Sequence, residues 1–300
     1  MPARAATARP GQPAPAPAAS RPASLPAPAA LRVQDDDGRW VALARPAQRI
    51  VSLSPHATEL LFAAGAGARV VATVRYGDFP AAARALPQVG DAQQLDLERI
   101  AALKPDLIVV WMHGSAAHQI ERLRALQVPI FHSEPRSLLQ IGDSLRRLGR
   151  LAGVPTQADA AAAAYAAELN GLRQRYSGRP PLRVFYQVWH QPLLTVNDQH
   201  LISDMIRLCG GVNVFGGQAA LVPGVSQEAV LAAGVQVLAT STADGEPDDS
   251  LAQWRGFQRM APVLRQAVLI PADFVSRPTP RALEGTRRMC EGLERVRQGR

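Results

Sequence analysis

The sequence predicts an α/β fold of two pseudo-symmetric α/β lobes joined by a long rigid helix, with a ligand cleft between the lobes. Three observations carry that expectation. The phrase "DLERIAALKPDLIVV" at residues 96–110 returns as "SQEAVLAAGVQVLAT" at 226–240: a capping residue (Asp96, Ser226), a glutamate two positions on (Glu98, Glu228), an apolar helical turn, then a strand-like run. A strand-then-helix unit, "RIVSLSP" followed by "HATELLFAAG", starts at Arg49 and recurs from Arg183 as "RVFYQV" followed by "LISDMIRLCGG". Two different elements therefore recur in one order at nearly equal offsets, 130 and 134 positions, as a duplicated architecture requires. Between the copies lies an alanine-rich segment, residues 157–176, whose composition favours helix strongly.

Composition bounds the class. A chain of 300 residues holds two lobes of ordinary size, each able to bury its own core. No apolar run reaches the roughly 18 residues that span a bilayer. The formal charge is +8, carried almost wholly by arginine, since Lys104 is the single lysine. The arginines are scattered, with no run interleaved with aromatics, so no nucleic-acid partner is expected.

In chain order, residues 1–30 are a Pro/Ala-rich tail that cannot bury enough surface to fold and is expected to be disordered. The tail holds no apolar stretch of about 7–15 residues and so no secretory signal as written; either a leader is missing or replaced, or the protein stays inside the cell. Residues 31–150 form the N-terminal lobe. "LRVQDDDGRWVAL" reads as two short strands about an Asp37-Gly38 turn, "RIVSLSP" as a strand, and Thr58 to Ala64 as a helix stopped by Gly65. Residues 151–180 are the connecting helix: one helix ends near Leu151, Gly153 and Pro155 break it, and a second runs from about Gln157 to Tyr176. Residues 181–300 repeat the first lobe's order.

No catalytic or metal-binding residue is expected. The six histidines include no HExxH pattern, no Gly-rich phosphate loop follows a strand, and no Ser/His/Asp or Cys/His grouping declares itself. Each histidine is expected to be a solvated or loop residue, with His113 or His190 as the ones that would touch a ligand in the cleft. Glu98 and Glu228 sit at the second helical position, where the helix dipole alone favours a carboxylate.

Four stretches carry a family resemblance: "RIVSLSPHATELLFAAGAGARVVATVRYGDFP", "LDLERIAALKPDLIVVW", "CGGVNVF" and "VSQEAVL". They resemble the periplasmic cobalamin-binding proteins of bacterial ATP-binding-cassette importers, within the helical-backbone binding proteins that also take siderophores and haem. The similarity runs from Arg49 to the C-terminus, and "RYGDFP" with "DFVSRPTPR" tilts it toward cobalamin.

The resemblance implies a function and a set of residues. The protein would be a non-enzymatic, monomeric component that captures a corrinoid in the periplasm and delivers it to a membrane permease, with no cofactor of its own. Tyr76 would lie against the corrin and Trp111 at the mouth of the cleft, and Asp273, Phe274, Val275, Ser276 and Arg277 would form the second lobe's contact loop. Glu98 and Glu228 would dock onto permease arginines. Cys209 and Cys290, the only cysteines, are expected to form a disulfide, which fits an oxidising compartment. Where the family carries further pocket aromatics this sequence has Ala92, Leu194 and Val222, which leaves haem or a ferric siderophore open as the ligand. A cytosolic α/β enzyme is the alternative of another class, favoured only by the missing leader.

Overall fold

The computed structural model describes residues 31–111, 117–243, 245, 247 and 249–299; the Pro/Ala tail and His113 lie outside them. A hairpin of β1 (Leu31–Gln34) and β2 (Trp40–Leu43) opens the described chain, turning at Gly38 with φ 76. The first lobe follows in the order β3 (Ile50–Ser52), α1 (Pro55–Ala63), β4 (Val70–Ala72), α2 (Leu97–Ala102), β5 (Leu107–Trp111), α3 (Ala117–Arg124) and β6 (Ile130–Ser133). Its four strands are parallel and lie in the order β4-β3-β5-β6. β3 and the first four residues of β5 are buried throughout, which is why they read as unbroken apolar runs rather than alternating ones.

Two helices lead out of this lobe, α4 (Leu138–Leu151) and α5 (Pro155–Tyr176). The second lobe then runs β7 (Leu182–Gln187), β8 (Trp189–His190), β9 (Leu193–Leu194), α6 (Leu201–Leu208), β10 (Gly211–Asn213), α7 (Gln227–Ala232), β11 (Val237–Thr242), α8 (Ala261–Arg265), β12 (Val268–Pro271), α9 (Ala272–Val275) and α10 (Ala282–Gln298). Its parallel sheet has the order β10-β7-β11-β12. In each lobe the first strand lies between the second and the third, with the fourth at the far edge, so the two sheets share one topology. The extra β8–β9 hairpin belongs to the second lobe alone.

The repeated phrase becomes a repeated structure. The Asp96 carboxylate accepts from the Arg99 amide and the Ser226 hydroxyl from the Ala229 amide, so α2 and α7 are six-residue helices capped alike, each followed by a parallel strand. Sequence placed the first helix from Thr58, but α1 begins at Pro55, because Ser54 caps it and proline's fixed φ suits the first turn. For the same reason α5 starts at Pro155, just after Gly153 breaks the chain at φ 68.

α5 has 22 residues, about 33 Å of helix, and one side of it is buried: Ala158, Ala162, Tyr165, Leu169, Leu172 and Tyr176. These side chains belong to one apolar cluster that also holds Ile50 and Leu107 of the first sheet and Val184 and Ile270 of the second. The connector is therefore core, not tether. The Tyr165 hydroxyl donates to the Leu138 carbonyl at 2.8 Å, and Asp204 of α6 accepts from the Leu138 amide at 2.9 Å, tying the start of α4 to the second lobe. The disulfide Cys209–Cys290 fastens the end of α6 to α10, as expected from the cysteine count.

Candidate functional site

Parallel sheets place ligands outside the carboxyl ends of their strands. Trp111 ends β5, Gln187 ends β7 and Thr242 ends β11, and all three line one cleft of about 710 Å³. Trp111 comes from the first lobe and the rest of the wall from the second, so the cleft lies between the lobes. A depression of about 800 Å³ near Gly90 and Arg122 is larger, but it belongs to the first lobe alone and is walled mainly by polar side chains. The inter-lobe cleft has the aromatic wall that a large apolar-faced ligand needs.

Its aromatic surface comes from Trp111, Tyr186 and Trp189, and Trp189 is 55% exposed at the start of the β8–β9 hairpin. The His56 imidazole meets the Trp111 indole edge to face at 5.7 Å, which fixes the tryptophan's plane. Gln187 turns no free polar atom to a ligand. Its amide nitrogen donates to the Ser250 carbonyl, and its amide oxygen accepts from Gln253 and from the Trp254 indole.

His200 lines the cleft, and its Nδ1 accepts the Ile202 amide at 3.1 Å, capping α6. Burial, assisted by Arg136, lowers its pKa to about 4, so it is neutral near pH 7 with the proton on Nε2. His56 is likewise lowered to about 4, chiefly by burial, although its bond to the Ser133 carbonyl opposes the shift. Each folded-state value lies below the ordinary one of 6.5, so between pH 4 and 6.5 the unfolded chain binds more protons. Stability is expected to fall as pH drops through that window. Urea unfolding at pH 7 and pH 5 checks it, and the difference should shrink in His56→Gln; an undiminished difference would acquit His56.

The residues expected from sequence do not all reach the cleft. Trp111 and Ser276 line it together and also flank a small void of about 50 Å³ beneath it. His190 lines it as well, and Val222 stands on its wall where an aromatic was expected in the family. Val275 is 1% exposed and packs in the core, and Phe274 packs against that core with the Arg281 and Arg288 guanidiniums over its ring at 5.6 and 5.3 Å. Asp273 and Arg277 are paired with each other at 3.1 Å. Arg277 also donates to Glu59 and Asp78 of the first lobe, at 2.9 and 3.2 Å. Burial weighs against the Arg277 charge, but these carboxylates outweigh it and raise its pKa.

Tyr76 is 62% exposed with φ 66, two residues from Asp78 and outside the cleft wall. A left-handed tyrosine is uncommon and aims its ring where a relaxed backbone would not. Glu98 and Glu228 are exposed in the first turns of α2 and α7. Hydrogen bonds from its own amide and from Ser226 hold the Glu228 carboxyl below its usual range. Among the described residues no group of three or more His, Cys, Asp or Glu could hold a metal ion. No described helix is long and apolar enough to cross a membrane.

The sequence reading missed Tyr186, Trp189 and His200 of the cleft wall and Glu59 beside it. Trp189 had a signal, a tryptophan beside histidine and a Gln-Pro turn, but the pairing Trp189 with Leu194 spans only a two-residue strand. Glu59 had none, being read as one more residue of an apolar helix.

The family model described as periplasmic binding protein matches residues 50–266, more than half of the chain. The chain belongs to that family. Among members of the periplasmic binding protein family, the vitamin B12-binding protein of Vibrio parahaemolyticus is 36% identical over 257 residues, 85% of this chain and 92% of that protein. The crystal structure of the periplasmic vitamin B12 binding protein BtuF of Vibrio cholerae superposes with a TM-score of 0.75 at 35% identity, covering 84% of this chain and 98% of that one. The haem-binding protein BhuT, solved with two haems, has a TM-score of 0.69 at 22% identity over 82% of this chain and 98% of its own, which speaks for the shared fold alone. The expected family and two-lobe fold class are both borne out. These relatives are named as binding proteins, not as enzymes.

Proposed function

We propose that this protein binds cobalamin or a close corrinoid in the periplasm, between its lobes, and delivers it to the permease of an ATP-binding-cassette importer without catalysing a reaction. The observation that carries the reading is an inter-lobe cleft walled by Trp111, Tyr186 and Trp189, in a chain about one-third identical to proteins named for binding vitamin B12. A corrin has broad apolar faces and a rim of amides, so indole faces and a few polar groups suit it.

Within that reading the lobes span residues 31–150 and 181–300 with 151–180 between them, and the free protein is a monomer. The ligand's faces meet Trp111 and Trp189, Ser276 supplies a polar contact, and Tyr76 covers the part of the ligand that projects past the cleft. Asp273, Phe274, Val275 and Arg277 serve the site by holding Ser276 in place. Glu98 and Glu228 dock on the permease.

Calorimetric titration with cyanocobalamin, cobinamide and haemin tests the ligand. Saturable binding of either corrinoid is expected, and binding of haemin alone would overturn the assignment. Trp111→Ala and Trp189→Ala should each weaken corrinoid binding by about 1–3 kcal/mol through lost aromatic contact, and Tyr76→Ala by about 1 kcal/mol because its ring stays largely exposed. An unchanged dissociation constant removes that residue from the site. One observation favours haem as a second reading. The His190 imidazole stands on the cleft wall and takes part in none of the hydrogen bonds among the described residues. A visible spectrum of protein with haemin shows an axial histidine if that reading holds.

A further inference from the structure

Glu59 on α1 is 3% exposed, a carboxylate inside the protein, and its partners come from the other lobe. Arg281 donates to both of its oxygens, from Nε at 3.0 Å and from Nη2 at 2.6 Å. Arg277 donates to Oε1 at 2.9 Å through Nη1, which Asp78 of the first lobe shares at 3.2 Å. Asp273 pairs with both arginines, at 3.1 and 3.5 Å, and the Phe79 ring lies against the Arg281 guanidinium at 4.0 Å. Five charged side chains thus cross the boundary between lobes in one network, joining residues 199 to 222 positions apart in sequence.

The place of this network matters more than its strength. The chain itself passes between the sheets once, through α4 and α5, where the shared apolar core and the Leu138–Asp204 bond also hold the lobes, and the network adds an ionic tie beside the cleft. Glu59 lies one helical turn beyond His56, whose ring holds Trp111, and Arg277 follows Ser276 directly. Trp111 of the first lobe and Ser276 of the second both line the cleft. A buried ion pair adds little net stability, because desolvation offsets the attraction, but separating its halves leaves charges that only water can satisfy. Such a contact therefore specifies one separation of the lobes and resists any wider one.

We infer that Glu59 is the positioning residue of the cleft: by gripping Arg277 and Arg281 it fixes the spacing between the Trp111 and Ser276 walls, and thereby governs how slowly a bound ligand leaves. The effect on the ligand rests on the corrinoid reading above; the effect on the spacing does not.

The test has two arms. In the first, spin labels on Ala85→Cys and Ala219→Cys, exposed positions one in each lobe, report the inter-lobe distance without ligand, the native cysteines being paired. Glu59→Gln is expected to lengthen and broaden that distance, and a distribution equal to the parent's would overturn the inference. In the second, stopped-flow dissociation of cyanocobalamin should be about 10-fold faster or more in Glu59→Gln, with the association rate changed far less. A lower melting temperature with an unchanged dissociation rate would mean an ordinary structural role and overturns it equally. Should Glu59→Gln fail to fold with excess positive charge left in the network, Glu59→Gln/Arg281→Gln removes one charge of each sign and carries the same expectations and the same refutation. If the parent protein binds no corrinoid, the proposed function fails, and the distance arm still decides the role of Glu59.

Discussion

A protein carrying both Glu98→Arg and Glu228→Arg is expected to bind its corrinoid within about twofold of the parent and to lose most permease association and uptake. Neither glutamate lines the cleft, so ligand affinity has no reason to change. Each is exposed in the first turn of a six-residue helix, capped by Asp96 in one lobe and by Ser226 in the other. If the two carboxylates served only their helix dipoles, reversal would cost some tenths of a kcal/mol of stability and nothing in transport. The matched caps, burial patterns and topology argue for more. A carrier with two like lobes presents the same charge at the same place on each, and a permease of two identical subunits would meet it with matched arginines. Reversal then sets like charges against each other at both contacts, which raises the cost well above that of a single exposed pair. Uptake in cells expressing the cognate permease, measured beside calorimetry on the same double mutant, decides the matter. Full uptake with normal affinity would return both residues to the status of helix caps.

How much of this was legible in the sequence depends on the range of the interaction. Caps and stops act within a few residues, so Asp96, Ser226, Gly65 and the breaks at Gly153 and Pro155 could be read directly, with errors only of where a proline begins a helix. β5 could be read because a parallel strand buried on both faces leaves an apolar run. The side-chain fates of residues 273–277 could not. α9 is a four-residue helix, so Val275 turns inward while Ser276, just past its end, reaches the cleft, and no local pattern reports which way so short an element faces. Arg277 was read as a ligand contact, yet its donors go to three carboxylates, and its partner Glu59 lies 218 positions away. Trp189 owes its place to a hairpin absent from the first lobe, so the repeat that exposed the rest of the fold was silent about it. The aromatic wall is thus a departure from the symmetry, and the matched glutamates Glu98 and Glu228 are its product.

The disulfide offers the other large expected effect. Replacing both Cys209 and Cys290 by alanine is expected to lower unfolding stability by roughly 4 kcal/mol while leaving corrinoid affinity unchanged in the protein that remains folded. The bond joins residues 81 apart, and cutting it frees a long loop in the unfolded chain. In the native state little is lost. Both residues are fully buried, packed where α6 meets α10, and alanine keeps most of that apolar contact. Neither lies on the cleft wall, so the ligand should not sense the change. This division has a signature beyond the size of the effect. If the bond acts mainly by restricting the unfolded ensemble, the variant's unfolded state is more open and its urea slope steepens as the midpoint falls. If it acts by straightening the native packing of α10, the midpoint falls at constant slope and amide exchange along that helix quickens. Urea unfolding of the oxidised parent and of the variant separates the two. Alkylation of the unreduced parent, read by mass, should find neither cysteine modified, and label on both would show that the bond does not form.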